Sequence, residues 1–170
     1  MGCDVKWDEP TSGWRISGFR YRPRCDIVFP VRLVLDTDVV VAAMRSPRGA
    51  SAELLRRIDK GRATMLLSVA LALEYEAKCM LAEHRLAAGL NIDDAGAYID
   101  GLIAIAERVQ SHFRWRPQLR DPVDEMVLEA AVNGRASAIV TFNERDLHPA
   151  RQSFGIAVVR PGETLRRIEP

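Results

Sequence analysis

The chain has 170 residues, 48% of them hydrophobic and 28% charged, with a formal net charge of +1. That is room for one domain around one core. The charge is too balanced to single out a nucleic acid or a membrane surface as partner. No apolar run reaches the ~18 residues of a membrane span, and Met1–Pro10 carries Asp4, Lys6, Asp8 and Glu9 where a signal peptide would be apolar. A cytoplasmic protein without membrane contact is therefore expected. Cys3, Cys25 and Cys79 are odd in number and scattered, which makes neither a disulfide framework nor a zinc site. Of the 24 basic residues only Lys6, Lys60 and Lys78 are lysines. Phosphate binding and coding-base composition explain that bias toward arginine equally well.

Residues 1–30 mix Gly, Pro, Arg and the aromatics Trp7, Trp14 and Tyr21 without a helix or strand period. They read as a flexible extension or the result of a start codon set too early, with an added β-element as the alternative. The domain proper is placed at 31–170. Its first strand is the apolar run ending in Leu33–Asp36, followed by a helix from Thr37 to about Met44 and a turn at Ser46–Gly49. Ser51 is expected to cap a helix whose inward face is Leu54, Leu55 and Ile58. Thr64–Leu67 reads as the second strand. Ser68 then caps a helix to about His84, with Leu71, Tyr75 and Cys79 at four-residue spacing. Asn91-Ile92-Asp93 opens a helix through about Glu107, with Tyr98, Leu102 and Ile105 inward. Val109–Trp115 is expected as strand three. Asp121-Pro122 places an N-cap acid before a proline at the first helical position, and Met126, Val127, Ala130 and Ala131 give that helix its stripe. Ala138–Thr141 and Ile156–Val159 read as short strands, and Glu163–Ile168 as a closing helix. This alternation predicts an α/β domain with a central, mostly parallel sheet of about five strands between helical layers.

In a parallel sheet the strand C-termini share one rim, where ligands bind. Asp36 ends the first strand, and Glu74 lies on the second turn of the helix after the second. Asp121, Asp124 and Glu125 open the helix after the third, and Thr141, Asn143 and Asp146 follow the fourth. Carboxylates gathered there repel one another unless a cation intervenes, and hard oxygen ligands suit Mg²⁺ or Mn²⁺. An ion so held activates water and stabilises charge on a phosphate. Each acid also has a plain role: Asp36 and Asp121 as helix caps, Glu74 beside Glu76 as a solvated face, Asp146 as a turn residue. Their coincidence at strand ends favours the chemical reading. Arg45, Arg48 and Arg145 fall in rim loops, where they can grip phosphates. The run His112–Arg116, with Arg120 behind it, alternates bases and aromatics and reads as a strand with one solvated face rather than a base-stacking surface. His84, His112 and His148 are unclustered and read as structural or surface residues.

Three segments carry a resemblance. LVLDTDVVVAAMRSPRGASAELL resembles the first motif of the PIN-domain family, in particular its branch of toxins from type II toxin–antitoxin modules (VapC-like ribonucleases). LLSVALALEYEAKCM resembles the second acidic motif, and WRPQLRDPVDEMVLEAAVNGRASAIVTFNERDLHPARQSFGIAVVRP the third and fourth. The likeness covers roughly residues 31–168 in the family's order. It implies a PIN-like three-layer α/β/α fold and an Mg²⁺-dependent (or Mn²⁺-dependent) endoribonuclease acting on RNA. It also implies a homodimer and a cognate antitoxin protein. Asp36, Glu74 and Asp124 take the acidic positions, and Thr141 that of the hydroxyl. The family's fourth carboxylate falls on Asn143, so the fourth ligand is either Asn143 through its carbonyl or Asp146. Asp38 stands where the family often has Asn. In this scheme Asp36 and Asp124 hold the metal, Glu74 joins directly or through water, and a second ion near Asp146 is left open.

Two other readings compete. Asp36-Thr37-Asp38 with Val39 and Val40 also fits the DxDx[TV] signature of haloacid-dehalogenase-like phosphatases, with Asp36 as nucleophile and Asp38 as its acid–base partner. That family expects a lysine at the phosphate, a later acidic pair and usually an inserted cap, and the sequence matches these poorly. The second alternative is a catalytically silent PIN-like module that binds RNA or protein, supported by Asn143 and Asp38.

Overall fold

The computed structural model describes residues 31–110 and 124–168. The 1–30 extension, the run His112–Arg116 and the Asp121-Pro122 helix start lie outside the described residues. Five strands, β1 (Val31–Leu35), β2 (Ala63–Ser68), β3 (Glu107–Val109), β4 (Ala138–Val140) and β5 (Ala157–Val159), form one sheet in the order β3-β2-β1-β4-β5. Every neighbouring pair is parallel, so the sheet expected as mostly parallel is wholly so. Leu33, Val34 and Leu35 of the central strand are completely buried, as a strand covered by helices on both faces requires.

The crossovers fix the layers. Helices α1 (Thr37–Arg45) and α2 (Ala50–Asp59) join β1 to β2, and α3 (Val69–Cys79), α4 (Ala82–Ala87) and α5 (Ile92–Ile105) join β2 to β3. The chain then reverses direction across the sheet: α6 (Asp124–Asn133) leads to β4 beside β1, and α7 (His148–Phe154) to β5. Right-handed crossovers running in opposite directions put the two helix sets on opposite faces. The last helix, α8 (Pro161–Arg167), lies against α2, where Arg57 Nη1 donates to the carbonyls of Leu165 at 3.1 Å and Ile168 at 2.7 Å. Gly134, just past α6, is demanded by space. A Cβ there would stand 2.8 Å from the Ala130 carbonyl oxygen and from Leu66 Cδ1, and 2.9 Å from Val109 Cγ2.

Several element boundaries differ from the sequence reading. The helix begun at Ser68, whose Oγ accepts from Leu71 N at 3.2 Å, stops at Cys79, and Met80-Leu81 separates it from α4. Gly49, not Ser51, is the N-cap of α2; Ser51 is buried inside the helix. Asn91 caps α5 in a reciprocal box with Asp94, as its position suggested, but the helix ends at Ile105 and β3 begins at Glu107. Helix α7 is an addition. Pro149 in its first turn and Gly155 at its C-cap with φ 68° are its sequence signals.

Candidate active site

The sheet order reverses between β1 and β4, and at that switch point an open α/β sheet leaves a crevice beyond its strand ends. The register pairs Leu35 with Val140, and Asp36 N donates to the Val140 carbonyl at 2.8 Å. This brings the residues just beyond, Asp36 and Thr141, together across 105 residues of sequence: Thr141 Oγ1 donates to Asp36 Oδ2 at 2.6 Å. Asp36 is also the N-cap of α1, its Oδ1 accepting from Thr37 N at 2.7 Å. Tyr75, wholly buried, donates from its hydroxyl to the Leu35 carbonyl and so ties α3 to the end of β1 beside Asp36.

The crevice is a cleft of about 770 Å³ whose walls include Asp36, Asp38, Glu74, Asp124 and Asn143. Four carboxylates therefore share one cavity. Asp38, in the first turn of α1, accepts from Phe142 N at 3.1 Å through Oδ2, while its Oδ1 is buried without a hydrogen bond. Glu74 Oε1 and Thr37 Oγ1 are likewise buried and without one. Burial raises the pKa of Asp36 against the opposing hydrogen bonds from Thr141 and Thr37. Asp38 is pushed up to about 6, first by burial, then by the charge of Asp36, with Asp124 adding to it.

The four carboxylates offer only hard oxygens, two of them carry buried oxygens without hydrogen bonds, and like charges crowd one another. Such a set fits a hard divalent cation. Among the described residues, no three His, Cys, Asp or Glu side chains form a ready chelating group. Asp36 is turned toward Thr141, Asp38 toward Phe142 N, and Glu74 has Lys78 Nζ at 3.8 Å.

Asn143 lines the cleft and Asp146 does not. Asn143 N donates to Thr141 Oγ1 at 2.8 Å, and its side-chain Nδ2 donates to Asp146 Oδ2. Of the three rim arginines, Arg45 is on the cleft wall, whereas Arg48 and Arg145 are exposed and do not line it. Two titratable side chains on the wall, Lys78 and His84, lie outside the pattern of acids and arginines that the sequence suggests. The Glu74–Lys78 spacing of four places both on one helix face, a signal available in the sequence. His84 arrives only through the break after α3.

An all-parallel α/β domain with an acidic cleft at its switch point is the class that fold and site define. The family described as PIN domain matches residues 32–145. The chain belongs to the PIN domain family, and the dehalogenase-like alternative is set aside with that assignment. Among solved structures, a chain of VapBC2 from Rickettsia felis, crystallised bound to a DNA fragment from their promoter, superposes with a TM-score of 0.54 at 14% identity. It covers 75% of this chain and 96% of that one. No curated protein matches the chain. No helix of the described residues is long and apolar enough to cross a membrane.

Proposed function

We propose that the chain is a divalent-metal-dependent endoribonuclease, the toxin of a toxin–antitoxin pair. The observation that carries this reading is the convergence of Asp36, Asp38, Glu74 and Asp124 on one cleft, with Asp38 Oδ1 and Glu74 Oε1 buried and lacking hydrogen bonds. Asp36, Glu74 and Asp124 would hold the ion, with Asp38 at its edge. A bound Mg²⁺ or Mn²⁺ supplies Lewis acidity, activating water and neutralising charge on the phosphate.

The protein's own groups do the rest. Thr141 fixes the Asp36 carboxylate and orders Asn143 through its backbone N–H. Asp146 engages the Asn143 amide nitrogen, which leaves the Asn143 carbonyl oxygen as the atom able to face an ion. Arg45 lies on the cleft wall, within reach of a phosphate, while Arg48 and Arg145 are left to contacts farther along a strand.

The resemblance to the toxin branch and the likeness to VapBC2 support a cognate antitoxin as partner. A homodimer is supported by Val69 and Leu73 of α3 and Ile103 of α5. All three are exposed and line an apolar groove of about 410 Å³.

The test is cleavage of a mixed RNA pool by purified protein with Mg²⁺, Mn²⁺ or EDTA, alongside Asp36→Asn. Cutting that needs the ion and disappears in the variant is expected. Metal binding without cleavage of any RNA would point instead to the silent binding module.

A further inference from the structure

Lys78 lies in the last turn of α3, one turn beyond Glu74, and both line the cleft. Its ammonium is 3.8 Å from Glu74 Oε1, beyond hydrogen-bond range, and that oxygen is buried without any hydrogen bond. The Lys78 side chain itself is 46% exposed. The pair is therefore charge-matched but loosely held. The choice of residue is informative in a chain whose lysines are Lys6, Lys60 and Lys78 among 24 basic residues. An arginine would fork onto the carboxylate with two parallel hydrogen bonds, as Arg32 does onto Glu107 at 2.9 and 2.6 Å. A lysine is a point charge on a flexible stem and lets go more easily.

We propose that Lys78 is an exchangeable counter-ion: it neutralises Glu74 until a divalent cation takes that carboxylate, and is then free to grip a phosphate of the bound RNA strand. The inference rests on the ribonuclease reading. A polyanionic strand approaching four carboxylates needs cationic contacts besides the ion, and Lys78 stands on the cleft wall one helical turn from an acid. Its release couples ion binding to strand binding, since the same charge cannot serve Glu74 and a phosphate at full strength.

Two titrations test it. In the first, Mn²⁺ is added without RNA to wild type, Lys78→Ala and Lys78→Arg, followed by calorimetry. The alanine variant should bind Mn²⁺ about two- to fivefold more tightly, the range of an exposed ion pair, and the arginine variant more weakly than wild type. In the second, fluorescent single-stranded RNA is titrated over a KCl series with the cleft otherwise intact and Ca²⁺ at saturation in place of Mg²⁺, a hard ion that the same oxygens hold and that activates water poorly, so that the strand survives. Lys78→Ala should weaken binding about fivefold and reduce the slope of log K against log salt by about 0.7, one phosphate contact on a single strand. Lys78→Arg and the remote control Lys60→Ala should keep the slope. An unchanged Mn²⁺ affinity or an unchanged salt slope in Lys78→Ala overturns the proposal and leaves the ribonuclease reading standing. Wild-type protein that cuts no RNA and binds no Mn²⁺ removes both.

Discussion

The two ends of β1 solve the problem of charge in opposite ways. At its start, Arg32 binds both oxygens of Glu107 and, through Nε and Nη2, the Gly134 carbonyl at 3.2 and 3.1 Å. The effect is mutual: Glu107 raises the Arg32 pKa, and Arg32 lowers that of Glu107. At its far end Asp36 meets Asp38, Glu74 and Asp124 around one cleft, and the carboxylate pKa values of Asp36 and Asp38 move up. One end is a finished structural joint. The other is a local conflict within an otherwise consistent fold, and such conflicts gather where a protein works.

Substitutions at the two ends should separate their roles. The largest effect is expected at the acidic end: Asp36→Asn should reduce metal-dependent RNA cleavage by about a hundredfold or more, since even partners of ligands cost 10–100-fold. Its unfolding midpoint without divalent ion should not fall, because a repelling charge has gone while Thr141 keeps an acceptor. A loss of stability equal to the loss of activity would place Asp36 among the structural caps instead. At the joint, Gly134→Ala should destabilise by about 2 kcal/mol in urea unfolding, the cost of forcing a methyl group into a filled core. Cleavage per folded molecule should be unchanged. Arg32→Ala should lower stability by about 1 kcal/mol, the scale of a partly exposed ion pair with added hydrogen bonds. Activity should again be spared.

The smallest expected effect concerns pH. The folded protein holds the Asp38 proton up to about pH 6, whereas an unfolded chain releases it near about 3.9. Between those values the native state binds more protons, so without divalent ion the Asp38 contribution favours folding below that window and is lost as pH rises through it. Asp38→Asn should be less stable than wild type relative to its own neutral-pH value when both are compared at the acid end. The difference between the two unfolding curves, measured across this window, isolates that group from the oppositely shifted Glu53 and Glu107. Parallel curves would show that Asp38 is solvated in the folded state.

Much of this was legible because local signals and tertiary needs agree. The run ending at Leu35 followed by an acid announces both a buried strand and a carboxylate at its C-terminal end. Ser68 and Asn91 cap the helices their positions suggested. The α3 overrun shows where agreement fails: the Leu71, Tyr75, Cys79 spacing continues toward Glu83 without a glycine or proline to mark the stop. The turn at Met80-Leu81 is visible only in three dimensions, with Leu81 at φ −58° and ψ 133°. His84 reaches the cleft by that turn, so its spacing in sequence carried no hint. Asn143 likewise lines the cleft while Asp146, which accepts from its side-chain nitrogen, does not. In a loop of exposed polar residues no periodicity encodes such a bond.

The long reach from Asp36 to Thr141 bears on the order in which the molecule comes into being. Synthesis delivers Asp36, Asp38 and Glu74 early, but the strand that completes their surroundings, β4, comes after all of α1–α6. A chain halted before Ala138 carries every acid of the cleft and lacks the hydroxyl and backbone amide that hold Asp36 and Asp38. Such distant pairings form late because loop closure must precede them. The surroundings of Asp36 and Asp38 are thus completed only by residues from Ala138 onward, and a chain cut short before them holds those acids without their partners.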